Sequence, residues 1–264
     1  MLRISQLHIY PIKSLAGIAV NTARITDRGL EHDRRWLLID EHNVQHTQRE
    51  IPAMALLRPA LTPEGLLVTH IPTQAQLLIP YTPTTDTFTP VQCWDDTVLA
   101  QFVSTEADAW FTEILQTNCR LVYMPETTQR QTDEKYTPKG HYTSFADGYP
   151  FLLIGEASLE ELNSRLDQPL PMNRFRPNIV FTGGAPFEED EMSRFTIGKI
   201  QFQGVKLCAR CVMTTINQDT AEKGKEPLRT LAQYRAKGHK ILFGQNLIHN
   251  GLGHIAVGDE LVKK

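Results

Sequence analysis

The chain has no apolar run long enough to cross a bilayer as a helix. Its first residues, Met1-Leu2-Arg3-Ile4-Ser5-Gln6-Leu7-His8, are too polar for a signal peptide. It also lacks a basic excess: 27 Lys and Arg face 30 Asp and Glu, for a net charge of -3. A dedicated nucleic-acid binder usually carries the opposite balance, so no nucleic acid duplex is expected as a partner. Cysteine is scarce, at four in 264 residues, which argues against a disulfide framework and for a reducing compartment. These absences predict a soluble, cytoplasmic protein without a membrane partner. There is no internal repeat, and no low-complexity segment beyond Thr-rich tracts near residues 82–90.

What is present reads mostly as short strands in a chain long enough for one large or two modest domains. Leu2 to Ile12, Ile18 to Thr26 and Trp36 to Ile39 carry alternating or continuous apolar residues, and short apolar runs such as Leu66-Leu67-Val68 and Leu77-Leu78-Ile79 follow between Pro, Thr and Gly. Many short strands with turn signals predict a barrel or a strongly curved sheet. A helix is expected over 104–116, where Ala107, Trp110, Phe111, Ile114 and Leu115 form one stripe and Ser104 or Thr105 caps it. A second is expected over 155–166, starting from a capping box at Ser158 and Glu161 or from Gly155. A last helix should begin at Pro227 and run through Leu228, Leu231 and Tyr234. Residues 124–146 have no apolar period and predict an exposed loop.

Chemistry is expected at Leu207-Cys208-Ala209-Arg210-Cys211-Val212-Met213-Thr214-Thr215. Two of the four cysteines stand here three residues apart, with an arginine whose charge favours thiolate. The flanks are strand-like and nothing after Cys211 looks helical, which favours metal ligation over dithiol redox chemistry. A cysteine in an apolar strand is also often a small core residue, and the spacing leaves both readings open. Three polar segments, Lys13-Ser14, Asp33-Arg34 and Arg174 through Asn178, join strand ends to basic or hydroxyl side chains. Arg offers a planar fork for phosphate, and Lys and Ser a point charge and a hydroxyl, as an anionic cofactor with a metal needs.

The chain resembles the two-part MOSC family, in which an N-terminal β-barrel domain precedes a molybdenum-cofactor domain. It is similar to the bacterial N-hydroxylated-base reductases and the eukaryotic amidoxime-reducing components. The carriers, in order, are Tyr10-Pro11-Ile12-Lys13-Ser14, Asp33-Arg34-Arg35-Trp36, Thr47-Gln48-Arg49, Asp147-Gly148-Tyr149-Pro150-Phe151, Glu156-Ala157-Ser158, Asn173 through Ile179, Cys208 through Thr215, Lys225-Glu226-Pro227-Leu228 and Phe243-Gly244-Gln245.

The resemblance implies a mainly β fold with packed helices (α+β): a barrel-like domain over 1–123, then the MOSC domain over 124–264. It implies a molybdenum–molybdopterin cofactor with Cys211 as the protein thiolate on the metal. Lys13, Ser14, Arg34 and Arg176 would hold the pterin phosphate and ring, and Asp147, Gly148, Asn178 and Arg210 would line the same pocket. Cys208 becomes a neighbour, not a ligand. Pyridoxal phosphate, another anionic cofactor, stays undecided. The implied reaction is two-electron reductive cleavage of an N–O bond in a small N-hydroxylated substrate. The related bacterial enzymes often end in an iron–sulfur domain, and Cys93 and Cys119 do not have its spacing; they read as core thiols. Electrons would then come from a separate donor protein: ferredoxin-like, flavoprotein or cytochrome. The rival readings are a molybdenum-cofactor or sulfur carrier without turnover, and a zinc or dithiol site at Cys208 and Cys211, for which no further ligand pair appears.

Overall fold

A computed structural model describes all 264 residues. The chain is mainly β, and seven strands close into a barrel. In spatial order they are Phe151–Gly155, Ile179–Thr182, Leu2–Ile9, Glu260–Lys263, Arg194–Ile197, Ile200–Ala209 and Lys240–Asn250, the last pairing back onto the first with Leu247 opposite Phe151. Phe151–Gly155 and Ile179–Thr182 run parallel, which demands a crossover, and the helix Glu156–Asn163 supplies it. Gly155 is the residue before that helix; Ser158 lies inside it and does not cap it. The division expected at residue 123 does not fall between sheets. Leu2–Ile9 pairs with strands of the second half, and Thr22–Thr26 pairs with Gly253–Ala256.

Leu2–Ile9 shows how sequence sets the barrel interior. Strict alternation from Ile4 would point Gln6 and His8 inward. A bulge between Ile4 and Gln6 shifts the register against Ile179–Thr182, so that Ile4, Leu7 and Ile9 are the buried residues. They join Phe151, Phe181, Phe195, Phe202 and Leu247 in one apolar cluster.

The first half adds a four-stranded sheet ordered Trp36–Ile39, Arg120–Tyr123, Asp96–Phe102, Phe88–Cys93, and a three-stranded sheet ordered Leu57–Thr62, Gly65–His70, Gln76–Ile79. The helix Thr105–Leu115 forms where its stripe predicts, and the Ser104 hydroxyl accepts from the Ala107 N–H at 3.1 Å. Ala107, Phe111 and Leu115 share a cluster with Trp36, Leu38 and Leu121.

Three expectations are corrected. Residues 124–146 are not simply exposed: Arg130–Gln131 pairs with Tyr142–Thr143, and Thr128, Arg130, Thr132, Thr137 and Phe145 are buried. Arg130 holds the segment down by donating to the Ser144 and Ala146 carbonyls while pairing with Asp96; buried polar side chains satisfied in this way leave no apolar period to read. The last helix is one turn, Leu228–Leu231, and Tyr234 lies beyond it. Val212–Thr215 is a 3-10 turn rather than a strand; its threonine hydroxyls fold back onto the carbonyls three residues earlier, Thr214 onto Cys211 at 3.0 Å and Thr215 onto Val212 at 2.7 Å.

One buried carboxyl sets a pH dependence of stability. Glu189 is fully buried; its Oε2 accepts from the Ser158 hydroxyl at 2.7 Å and its Oε1 has no partner. Burial, only partly offset by the Ser158 bond, pushes its pKa up to about 7 from 4.5. Between these values the folded chain binds more protons than the unfolded one, so this group lowers stability as pH rises from about 4.5 to about 7. Glu189→Gln removes that contribution, worth up to about 3 kcal/mol. The stability difference between Glu189→Gln and the parent chain, from urea unfolding, should move in favour of the variant from pH 4.5 to pH 8. A pH-independent difference would show that Glu189 does not titrate as its surroundings demand.

Candidate functional site

All nine residues singled out by the resemblance line one cavity of about 870 Å³, its open mouth included. They arrive on five connections. Lys13 and Ser14 follow the Leu2–Ile9 strand, and Arg34 precedes Trp36–Ile39. Asp147 and Gly148 precede Phe151–Gly155, Arg176 and Asn178 lead into Ile179–Thr182, and Arg210 and Cys211 follow Ile200–Ala209. Ser14, Arg34 and Arg176 all have left-handed backbones, with φ of 67°, 50° and 56°. Such conformations are costly for these residues and persist where the surroundings fix them. At Ser14 the fixing group is Gln48, fully buried, which donates to the Ser14 carbonyl at 2.6 Å.

Six cations line the cavity (Lys13, Arg34, Arg49, Arg174, Arg176 and Arg210) with one carboxylate, Asp147. Arg34 is neutralised from behind: its Nη1 reaches both oxygens of buried Asp33, at 2.9 and 2.7 Å, and Asn178 Oδ1 at 3.1 Å. Asn178 also accepts from the Leu152 N–H and donates to the His8 carbonyl, so it stitches strands together while steadying Arg34. Arg174 donates to the Thr214 and Glu226 carbonyls. Arg176 differs. It is 7% exposed, and its guanidinium has neither a carboxylate partner nor a hydrogen-bond acceptor in the protein. Burial, with Arg34 adding to it and the Tyr10 phenol and Asp147 opposing, lowers its pKa to about 10. The guanidinium carbons of Arg34 and Arg176 lie 4.3 and 4.2 Å from the centre of the Tyr10 ring, a cation–π arrangement.

Lys13 is 4% exposed and donates to the Phe145 carbonyl at 2.7 Å and to Asp147 Oδ1 at 2.8 Å. The Trp94 indole N–H donates to the same Asp147 oxygen at 3.2 Å. Desolvation alone would raise the Asp147 pKa; the charge and hydrogen bond of Lys13, then Arg34 and Arg49, outweigh it and hold the carboxyl well below the ordinary range. A Cβ at Gly148 would meet no atom within 4 Å, so the backbone there stays open to close approach.

The two thiols are reduced and half-buried, both on the cavity wall. A bulge between Leu207 and Ala209 re-aims the end of Ile200–Ala209. Arg210 donates to Cys208 Sγ at 3.0 Å and to the Phe175 carbonyl at 2.7 Å, leaving its buried Nε unpartnered. Cys211, the residue before the 3-10 turn, has no hydrogen bond on its sulfur and faces the cavity unengaged. No three His, Cys, Asp or Glu side chains gather to hold a metal ion. Cys93 and Cys119 are buried in the core, as expected.

Sequence reasoning placed Arg174 among the basic side chains for an anionic cofactor, but did not assign Thr47, Arg49 or Trp94 to the cavity that all four line. The signal for Arg49 was present in Thr47-Gln48-Arg49. Trp94 carried none: it sits at a hairpin tip with φ of 58°, its ring 4.2 Å from the Arg49 guanidinium carbon.

Fold and site together define a closed-barrel protein with a cavity lined by six cations and two thiols. Residues 1–118 match the MOSC N-terminal beta barrel domain and residues 140–262 the MOSC domain. The chain belongs to the two-domain MOSC family. It is similar to the mitochondrial amidoxime-reducing component 1 of Mus musculus, 34% identical over 97% of this chain and 80% of that one. It is also similar to the mitochondrial amidoxime reducing component 2 of Bos taurus, 35% identical over 88% of this chain and 72% of that one. A molybdenum cofactor sulfurase of Oryza sativa subsp. japonica is 33% identical over 92% of this chain but only 32% of its own length. No helix is long and apolar enough to cross a membrane.

Proposed function

We propose that the cavity holds a molybdopterin-type cofactor through Cys211 and that the protein reduces small N-hydroxylated substrates with electrons from a separate donor protein. The observation that carries this is Arg176, a buried cation without an acceptor facing a cavity that also presents a free thiol. A buried charge left unpaired is costly, and a phosphate or pterin oxygen arriving there supplies the missing partner. The Ser14 hydroxyl, also without a protein partner, and the open backbone at Gly148 fit the same anionic group.

When bound, the group supplies a two-electron redox centre for removing oxygen from nitrogen. The chain's own residues do the rest. Cys211 offers a soft sulfur to the metal. Arg176, Arg34 and Lys13 fix the anion, and Arg210 holds the Cys208–Cys211 segment against Phe175. An amidoxime takes up two electrons and two protons and leaves as an amidine and water, so the donor passes two electrons per turnover.

Protein from a molybdopterin-competent host should contain close to one molybdenum and one pterin per chain, and reduce an amidoxime with reduced viologen as donor. Zinc in place of molybdenum would end the assignment. The similarity to the rice sulfurase supports a second reading, a cofactor or sulfur carrier; full loading without turnover of any N-hydroxylated compound would favour it.

A further inference from the structure

Thr47 and Arg49 line the cavity, but Gln48 between them does not. It meets Gln218, 170 residues further on, and both side chains are buried. The two amides form a reciprocal pair. Gln48 Nε2 donates to Gln218 Oε1 at 3.3 Å, and Gln218 Nε2 donates to Gln48 Oε1 at 3.1 Å. Each nitrogen gives its second proton to a backbone carbonyl, Gln48 to Ser14 at 2.6 Å and Gln218 to Ile216 at 3.1 Å. No backbone N–H reaches either carbonyl, so each amide is its carbonyl's sole donor. Turning either amide over would set its oxygen against a carbonyl oxygen and break both reciprocal bonds, which fixes the orientation of the pair.

The two carbonyls belong to opposite ends of the cavity. Ser14 carries the left-handed turn of the connection after Leu2–Ile9. Ile216 directly follows the 3-10 turn that begins after Cys211, and its N–H donates to the Met213 carbonyl inside that turn at 3.2 Å. The pair therefore ties the backbone at Ser14 to the backbone that sets Cys211. Resting on the cofactor reading above, we propose that Gln48 and Gln218 are positioning residues that fix the separation between the anion end of the cavity and its thiol end. A group held at both ends binds well only where that separation matches its length, and fixing it beforehand removes an ordering cost from binding. Gln48 comes from the first half of the chain and Gln218 from the second, so the pair also registers the two halves against each other where both meet one ligand.

The test uses the whole chain from a molybdopterin-competent host. Alkylation of each cysteine by iodoacetamide is followed by mass spectrometry, with pterin and molybdenum measured in the same samples. Gln48→Met and Gln218→Met keep the volume and remove the bonds. Each should speed alkylation of Cys211 ~10-fold over the loaded parent, the scale of leaving a buried carbonyl without its donor. Molybdenum should fall in step while most of the pterin stays. The double variant should lose little more than either single one, since the two amides act as a unit. Cys93 and Cys119, both buried in the core, report folding and should stay unmodified throughout. Gln218→Asn, one methylene too short to reach both partners, should move the same readouts in the same direction with less disturbance of packing. If pterin leaves in proportion to molybdenum, or Cys93 and Cys119 become reactive, the pair is only part of the scaffold and the proposal is overturned. Unchanged protection of Cys211 in both Met variants overturns it as well. A parent chain that takes up no molybdopterin sinks the cofactor reading itself, and the role of the pair toward the cofactor with it.

Discussion

Replacing Cys211 by alanine should leave the protein without bound molybdenum and lower N-reduction by more than about a thousandfold, the scale of losing a group the chemistry runs through. Cys208→Ala should retain molybdenum and lose about tenfold at most, as for a group that supports a ligand without being one. The asymmetry comes from the two sulfurs' surroundings. Cys208 lies in the strand Ile200–Ala209 and accepts from Arg210 at 3.0 Å, which occupies its lone pairs and ties it to the wall. Cys211 stands past the strand end, and its sulfur has no protein partner. Only its backbone is fixed, by the Thr214 N–H and hydroxyl on the Cys211 carbonyl at 3.1 and 3.0 Å. A sulfur held by its backbone and otherwise unengaged is what a metal needs. Metal analysis of both variants decides the matter: full molybdenum in Cys211→Ala, or its loss in Cys208→Ala, reverses the assignment.

How far this site could be read from the sequence depends on the kind of signal each residue carried. Periodicity located the helix Thr105–Leu115 because its apolar stripe packs directly onto a core. It misplaced Val212–Thr215 because threonine hydroxyls bonding back to the backbone settle that turn, and no apolar period marks such bonds. Lys13, Arg34 and Arg176 stood out as basic side chains at strand ends, yet spacing could not show that they converge. Convergence arises from barrel closure, which sets the connection after Leu2–Ile9 beside the one entering Ile179–Thr182. The unpaired state of Arg176 was not legible at all, since Arg34 has the same residue type and a similar setting. The two differ because Arg34 is in direct contact with the Asp33 carboxylate, whereas no carboxylate lies within ion-pair distance of Arg176. Trp94 was hidden for a related reason: its hydrogen-bond partner is 53 residues away.

Arg176→Met should separate binding from stability with opposite signs. In the cofactor-free chain the guanidinium is buried without an acceptor, and its pKa is lowered to about 10 from 12.5. A base whose folded pKa is lowered destabilises the folded state at every pH below that value and regains the loss only as pH rises from about 10 toward 12.5. At pH 7 the cost is therefore present in full, about 3 kcal/mol from the shift, and is offset in part by the Tyr10 ring 4.2 Å away. Methionine fills similar volume without a charge and leaves intact the Arg176 carbonyl that Arg34 uses at 3.4 Å. The cofactor-free variant should melt a few degrees higher than the parent at pH 7. The same change removes the cation proposed to meet the cofactor's anionic group, so pterin and molybdenum retention should fall by ~10-fold or more, a charged hydrogen bond's worth. A gain in stability coupled to a loss of loading is the signature of a residue kept for its ligand rather than for the fold. Arg34→Met, by contrast, strands Asp33 as a buried carboxylate without its cation and should destabilise the chain whether or not cofactor is present. Thermal melts of the cofactor-free proteins, run beside metal analysis of the loaded ones, compare the two. If Arg176→Met lowers the melting temperature as Arg34→Met does, Arg176 is part of the scaffold, and the cavity has lost the residue on which its anion-binding role rests.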